Sequence, residues 1–477
     1  MDSFETYQVA PEQPTSLANR QSIPLPACHL DPELVVNSFT VPRPFDVDRL
    51  RSALARTLQL FPLHCGVVAR DGDSWSIKLV NEPVHLTVGS TDEPGPFADS
   101  WDGKLHADYY EELDCEAICG GSGTPLFLAR VTTWARTGQT ALFCCAWHGL
   151  GDALASMHLA KTWSAIYQNK APPDPPTFSK FLLPEPQMQT ISSYGFERER
   201  LSYLSVDVDP GFYDSRKRQM DDEALRLDID LPGTFVDQLW ALVKESPEMN
   251  GSIVGRADAF SGYLIAALQD CFEAPVETLY QLVSLRGRTA VYNGKDVSFP
   301  YSTQGNAFIL WPTPVTTPRS EQTPGTFAQN LYRGRSELSN KNRLGRAIML
   351  ADYLWARAEF KSPNRRSAGL NDADFGFPLQ SGHIDWDATE KFIQVWKANP
   401  LEQDDGSWIR DPRGLHVLLR LKPEHAFGFL ERLRLDMDRL SLDQRYPSSP
   451  AAIARRIRES VSHDARQGGM EKTKSLL

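Results

Sequence analysis

The chain has 477 residues, 41% hydrophobic and 23% charged, which fits a folded globular protein too long for one ordinary core. Its formal net charge is -11 and its pI is near 5.5, so a surface-wide affinity for DNA or RNA is not expected. No stretch approaches the ~18 apolar residues of a membrane span, and the polar start, MDSFETYQVAPEQPTSL, lacks the basic end and apolar run of a signal peptide.

In chain order, the segment 46–61, DVDRLRSALARTLQLF, has apolar residues at helical spacing, with Asp46 placed as its N-cap. SWSIKLV, 74–80, reads as a strand. PLFLARVTTWA and TALFCCAW are apolar runs separated by RTGQ, a hairpin signal with Gly138 in the turn. DALASMHLAKTWSAIYQ follows as a helix with Asp152 near its start. Residues 171–187, APPDPPTFSKFLLPEPQ, shift in composition, because proline at this density removes backbone donors and favours extended chain. The stretch 171–222 reads as a crossover lying on the surface.

Beyond it, LRLDIDL is a strand, and GTFVDQLWALVKES and RADAFSGYLIAALQDCF are helices. TLYQLVSL is a strand ending at RGR, and HVLLRLKPEHAFGFLERLRLDMDRL is a strand followed by an amphipathic helix. Strands and helices alternate in both halves. The expectation is an α/β protein of two lobes, residues 1–170 and 223–477, with mixed sheets covered by helices. Seven cysteines, two of them adjacent in an apolar run, read as reduced thiols of a cytoplasmic protein. Cys115 and Cys119 lack a second pair to complete a zinc site, so no metal is expected.

The stretch FCCAWHGLGDALASMHLAKTW carries the chemistry. A buried strand runs into His148, then Gly149 and Gly151, then Asp152 at a helix start. Taken alone, His148 reads first as a core imidazole bonded to backbone. The two glycines let backbone approach a ligand closely, and side chains at such a junction project into a crevice. A helix N-terminus disfavours imidazolium and so helps keep a base neutral. Whether Asp152 orients the ring, caps the helix or pairs with an arginine is left open by the spacing. His158, ten residues on, reads as packing or surface; His64, His85, His106, His416 and His425 show no partner pattern. There is no Gly-x-Ser-x-Gly elbow, and GGSGT lacks the lysine of a phosphate-binding loop.

These residues resemble the BAHD acyltransferases, CoA-dependent enzymes of plant and fungal specialised metabolism. The matching stretches are HGLGD (148–152), LVSLRGR (282–288), YSTQGNAFI (301–309) and NDADFGFP (371–378), with IPLPACHLDP and LFPLHCGVV earlier. Their order holds along nearly the whole chain. The resemblance implies the two-lobed fold of chloramphenicol-acetyltransferase type, with a channel between the lobes and His148 reached from both faces. It implies that His148 is the general base, with Asp152 structural and paired with Arg286 or Arg288. Asp374 would also be structural. Ser284, Ser302, Thr303, Asn306 and Arg288 would be candidates for CoA contact. Partners would be an acyl-CoA co-substrate and a small-molecule acceptor, with no resident cofactor, nucleic acid or membrane, and the protein would be monomeric.

The sequence also departs from the family. Trp147 stands where many members have a second histidine, and Phe377-Pro378 replaces Trp-Gly after DFG. Asn364 and Arg365 fall where many members place channel-lining side chains, either as donors to an oxyanion or in a rearranged loop. Two readings compete with O- or N-acylation. One is a cyclase or lyase using the same channel and His148. The other is a ligand-binding protein without catalysis, which would have no need of a base.

Overall fold

The computed structural model describes residues 3–25, 34–72, 74–92, 113–184, 186, 194–201, 224–249, 253–272, 274–356, 381–385, 393–402, 405, 407–440, 449–455 and 457. The first half holds β1 (Ser3–Val9), β2 (Ser22–Pro24), β3 (Leu34–Val41), α1 (Val47–Leu60), β4 (Val67–Asp71), β5 (Ser74–Lys78), β6 (Val84–Thr91), α2 (Cys115–Gly120), β7 (Phe127–Trp134), β8 (Thr140–Trp147) and α3 (Ala153–Tyr167). Asp46 caps α1 as expected, accepting from Arg49 N at 3.1 Å, and the helix buries Leu50, Ala53, Leu54, Thr57 and Leu58. β7 and β8 form the expected hairpin, with Gly138 in the left-handed region at φ +70°.

All eight residues of β8 are buried, because the sheet is covered on both faces. On one face Leu142, Cys144 and Ala146 pack with Phe39 of β3 against residues of α1 and α3. On the other, Cys145 and Trp147 join Val68 and Ile77 from the small β2-β5-β4 sheet.

The second half continues with α4 (Gly195–Arg200), β9 (Leu225–Leu231), α5 (Gly233–Glu245), α6 (Arg256–Gln269), β10 (Thr278–Ser284), β11 (Arg288–Tyr292), β12 (Lys295–Phe299), β13 (Phe308–Pro314), α7 (Pro324–Glu337) and α8 (Lys341–Ala356). Then come β14 (Ser381–Asp385), β15 (Gln394–Lys397), β16 (Leu401–Glu402), β17 (Trp408–Ile409), β18 (Leu415–Leu421) and α9 (Pro423–Arg439). β15, β18 and β9 form an antiparallel sheet. One face, Leu227, Ile229 and Leu231 with Val417 and Leu419, packs under residues of α5, α6 and α9.

The halves of the sequence do not map cleanly onto the sheets. β14 pairs antiparallel with β3, from Ser381 opposite Thr40 to Asp385 opposite Val36, and so completes the first sheet in the order β1-β6-β7-β8-β3-β14. A strand from the C-terminal part of the sequence thus lies in the same sheet as β1, β3, β6, β7 and β8. Part of the crossover is buried, whereas the sequence placed it on the surface, and residues 171–175 are exposed. Phe178, Lys180, Phe181, Tyr194 and Leu201 are buried, and the Lys180 ammonium donates to both carboxylate oxygens of Asp352 at 2.7 and 2.8 Å. Proline spacing revealed the extended chain, but the apolar anchors between the prolines draw it into the core. Among the described residues, no helix is long and apolar enough to cross a membrane.

Candidate active site

His148 leaves the end of β8 as the first residue of a short 3-10 turn, His148–Leu150. The glycines around it answer to close contact. A Cβ on Gly149 would lie 2.3–2.4 Å from the Trp147 ring, so this indole closes over the turn. A Cβ on Gly151 would meet the Ala155 Cβ at 2.5 Å and Gly305 N at 3.1 Å. Gly151 and Gly305 pair as a single parallel bridge, backbone against backbone, where the chain segments of the two halves meet. His148 has 1% of its surface exposed, so the ring is not presented to bulk solvent from either side.

Asp152 does three of the things its position allows. As N-cap of α3 its Oδ1 accepts from Ala155 N at 3.0 Å. Both carboxylate oxygens accept from Arg286, Nη1 to Oδ2 and Nη2 to Oδ1, each at 2.8 Å. Oδ2 also accepts from Ala307 N at 3.1 Å. Arg286 in turn donates through Nε to the Thr303 carbonyl at 3.0 Å. Both side chains are buried, and a bidentate pair with its remaining donors and acceptors satisfied is the arrangement in which a buried ion pair is tolerated. Arg288 does not share in this pair; its guanidinium donates to the carbonyls of Ser284 and Leu338.

The other sequence candidates cluster around the same loop. The Ser284 hydroxyl accepts from Arg286 N at 3.2 Å. Ser302 is buried, and its carbonyl accepts from Thr177 N and from the Gln304 amide. Thr303 has 0% exposure and its hydroxyl donates to the Pro300 carbonyl at 2.6 Å. Asn306 is half-buried, and its Oδ1 has no hydrogen-bond partner among the described residues. Asn364, Arg365 and Asp374 lie outside the described residues.

Two histidines have partners that the sequence did not reveal. His158 ties three segments together: its Nδ1 accepts from the Gln304 amide at 2.9 Å and its Nε2 donates to the Asp174 carbonyl at 2.9 Å. Burial lowers its pKa, in keeping with this neutral form. His416 on β18 sits between Asp230, 2.7 Å from Nδ1, and Asp228, 3.2 Å from Nε2. Burial alone would strip its proton, but the two carboxylates push its pKa up to about 9. The signal was present as Arg226, Asp228 and Asp230 at alternate positions of β9, one face of a strand. Alternation of this kind ordinarily marks a solvated face, and here that face is buried at 5–8% exposure. By contrast, His64 packs between Phe61 and Phe127, where desolvation drives it down to about 3.

Among the described residues, no group of three or more His, Cys, Asp or Glu could hold a metal ion. Surface cavities of about 280 and 390 Å³ lie by Thr316, Thr326 and Arg333 and by Tyr194, Asn293 and Arg346; His148 lines neither.

The elements and this junction make up the two-lobed α/β fold expected from the sequence. Among solved structures, the chain is similar to vinorine synthase, with TM-score 0.60 and 14% identity over 90% of this chain and 96% of that one. It is also similar to F. sporotrichioides TRI101 complexed with coenzyme A and T-2, with TM-score 0.59 and 17% identity over 88% of this chain and 98% of that one. F. graminearum TRI101 complexed with coenzyme A and deoxynivalenol gives TM-score 0.57 and 16% identity over the same shares. At such identities the likeness is one of fold. No family model matches the chain, and no curated protein matches it by sequence.

Proposed function

We infer that the chain is an acyl-CoA-dependent acyltransferase of the BAHD type, with His148 as general base toward a hydroxyl or amine of a small acceptor. The observation that carries this reading is the lock between Asp152 and Arg286. It commits Asp152 to the helix cap and the 303–307 loop, and so fixes the strand-to-helix turn that holds His148 where the two halves meet. The similar fold of proteins captured with coenzyme A and a small molecule supports it.

In this reading the neutral imidazole accepts the proton of the acceptor O–H or N–H as the acceptor atom attacks the thioester carbon. A carbon–oxygen or carbon–nitrogen bond forms and the carbonyl oxygen takes negative charge, which donors must hold. The tetrahedral species then expels the CoA sulfur, which takes the proton from His148. Both substrates are held together, so no covalent acyl-enzyme is needed. With His148 buried, turnover requires the structure to open around the ring to admit both substrates.

The test is thiol release from acetyl-CoA in the presence of hydroxylated and amine-bearing small molecules, deoxynivalenol among them. His148→Ala should lower the rate by on the order of 10²–10⁴ while the protein still folds. Full turnover by that variant, or acceptor conversion without any need for acyl-CoA, would overturn the reading.

A further inference from the structure

The buried face of the β15-β18-β9 sheet is more polar than a core requires. Register and alternation place Gln394 and Trp396 of β15, His416 and Leu418 of β18, and Asp228 and Asp230 of β9 on one face. The two carboxylates on it are both paired. Arg226 donates to Asp228 at 2.9 Å, and His416 lies between Asp228 and Asp230; Arg420, opposite Arg226, adds a third basic group at the end of the same face. Gln394 is outside this network. It is 0% exposed, and neither its Oε1 nor its Nε2 has a hydrogen-bond partner among the described residues. The indole N–H of Trp396, a residue 3% exposed, is likewise without one, while its ring stacks on His416 at 5.9 Å and 11°.

This face packs against the core of the first lobe. Trp396 and Leu418, the residue opposite Gln394, join the first lobe's core cluster with Val35, Phe39, Ala146 and Ala153. Ala146 and Ala153 bracket His148 in sequence, and Val35 and Phe39 flank Asn37 on the same face of β3. Asn37 is 0% exposed. Its amide nitrogen donates to the Ser156 hydroxyl of α3 at 2.6 Å, and its Oδ1 has no partner among the described residues. Buried polar atoms in native proteins are mostly satisfied, and each exception calls for an explanation, a bonded ligand being one.

We propose that the Gln394 amide, the Trp396 indole N–H and Asn37 Oδ1 form the polar wall on which the acceptor is held. These three groups offer donors and acceptors and are themselves uncharged. The acceptor class that fits is an uncharged, oxygen-rich small molecule presenting both a hydroxyl and a carbonyl or ether oxygen. The proposal rests on the acyl-transfer reading of His148.

The test uses Gln394→Leu and Trp396→Phe in the full chain, with three measurements on each. These are the melting temperature of the protein alone, KM for the acceptor that turns over best with acetyl-CoA, and KM for acetyl-CoA. A wall built for a ligand is a liability without one, so each variant should melt at an equal or higher temperature than the parent. Acceptor KM should rise about tenfold, and KM for acetyl-CoA should stay within about twofold. A melting temperature lowered by several degrees would show that these groups serve the fold, and an unchanged acceptor KM would show that they do not face the acceptor; either overturns the proposal. If the parent releases no thiol with any acceptor, the acyl-transfer reading fails by itself. The wall is then judged on melting alone: equal or higher temperatures support a ligand-facing surface and lower ones refute it.

Discussion

Asp152 and Arg286 meet through two parallel hydrogen bonds of 2.8 Å, joining the start of α3 to the turn after β10. The first prediction concerns this pair. Arg286→Ala strands a buried carboxylate and unties the Thr303 carbonyl, and it should cost about 3–5 kcal/mol of stability. Arg286→Lys keeps the charge but cannot reproduce the fork, so it should recover only part of that loss. Arg288→Ala should leave the Asp152 contacts untouched. Denaturant melts of the three variants check the order, and activity should follow the same order because the turn holding His148 moves with the pair.

The Trp147 ring and Gly149 set up a second test. Gly149→Ala forces a methyl against an indole at 2.3–2.4 Å and should destabilise the protein by about 1–3 kcal/mol. Trp147→Ala alone opens a cavity at about 3–5 kcal/mol. Because the smaller side chain removes the clash, the double variant should cost less than the sum of the two. A double-mutant cycle measured by equilibrium unfolding gives the coupling, and additive costs would mean the two residues do not interact.

A third expectation is a stability profile bounded by two histidines. His416 has its folded pKa raised to about 9 from 6.5, so its contribution is fully present below about pH 6.5 and is lost as pH rises toward 9. His64 is held neutral with its folded pKa near 3, so the unfolded chain takes up a proton that the folded one refuses as pH falls below 6.5. Melting temperature followed across pH 4 to 9 should therefore decline on both sides of about 6.5 on account of these two groups. His416→Gln should flatten the alkaline limb and His64→Phe the acid limb; a variant that leaves its limb unchanged refutes the assignment for that residue.

Lys180 and Asp352 supply a fourth. The pair ties the crossover to α8, with side chains 6% and 15% exposed. Lys180→Met leaves a mostly buried carboxylate without its cation and should cost about 2–4 kcal/mol, and Asp352→Asn on that background should return part of it. Thermal melts of the single and double variants check this.

Much of the architecture was legible because its signals are local. Asp46 before an amphipathic run, Gly138 between two apolar strands, and Asp152 ahead of α3 each fix an element end through bonds to residues three or four away. What stayed hidden depends on distant partners. Nothing near Arg286 or Arg288 says which guanidinium faces Asp152; that is decided by the register of β10 against β13 and by the carbonyls that occupy Arg288. His416 carried no pattern because its carboxylates lie on β9, nearly two hundred residues earlier. His158 read only as packing or surface because its partners, Asp174 and Gln304, belong to two other segments. The burial of His148 matches its reading as a core imidazole rather than the access from both faces that the family resemblance implies; two glycines beside a histidine are compatible with an open or a closed turn.

The strand at Ser381–Asp385 has a bearing on biosynthesis. As the polypeptide leaves the ribosome, Leu34–Val41 emerges early and can zip to Thr140–Trp147, yet its other flank must wait until Ser381–Asp385 has been made. Through that interval the nascent protein carries a row of unsatisfied amides and carbonyls on a β-branched, apolar ribbon, the kind of flank to which stray chains adhere. Expression should thus depend on holdase chaperones, and fragments ending before Ser381 should aggregate, which solubility of a truncation series would reveal.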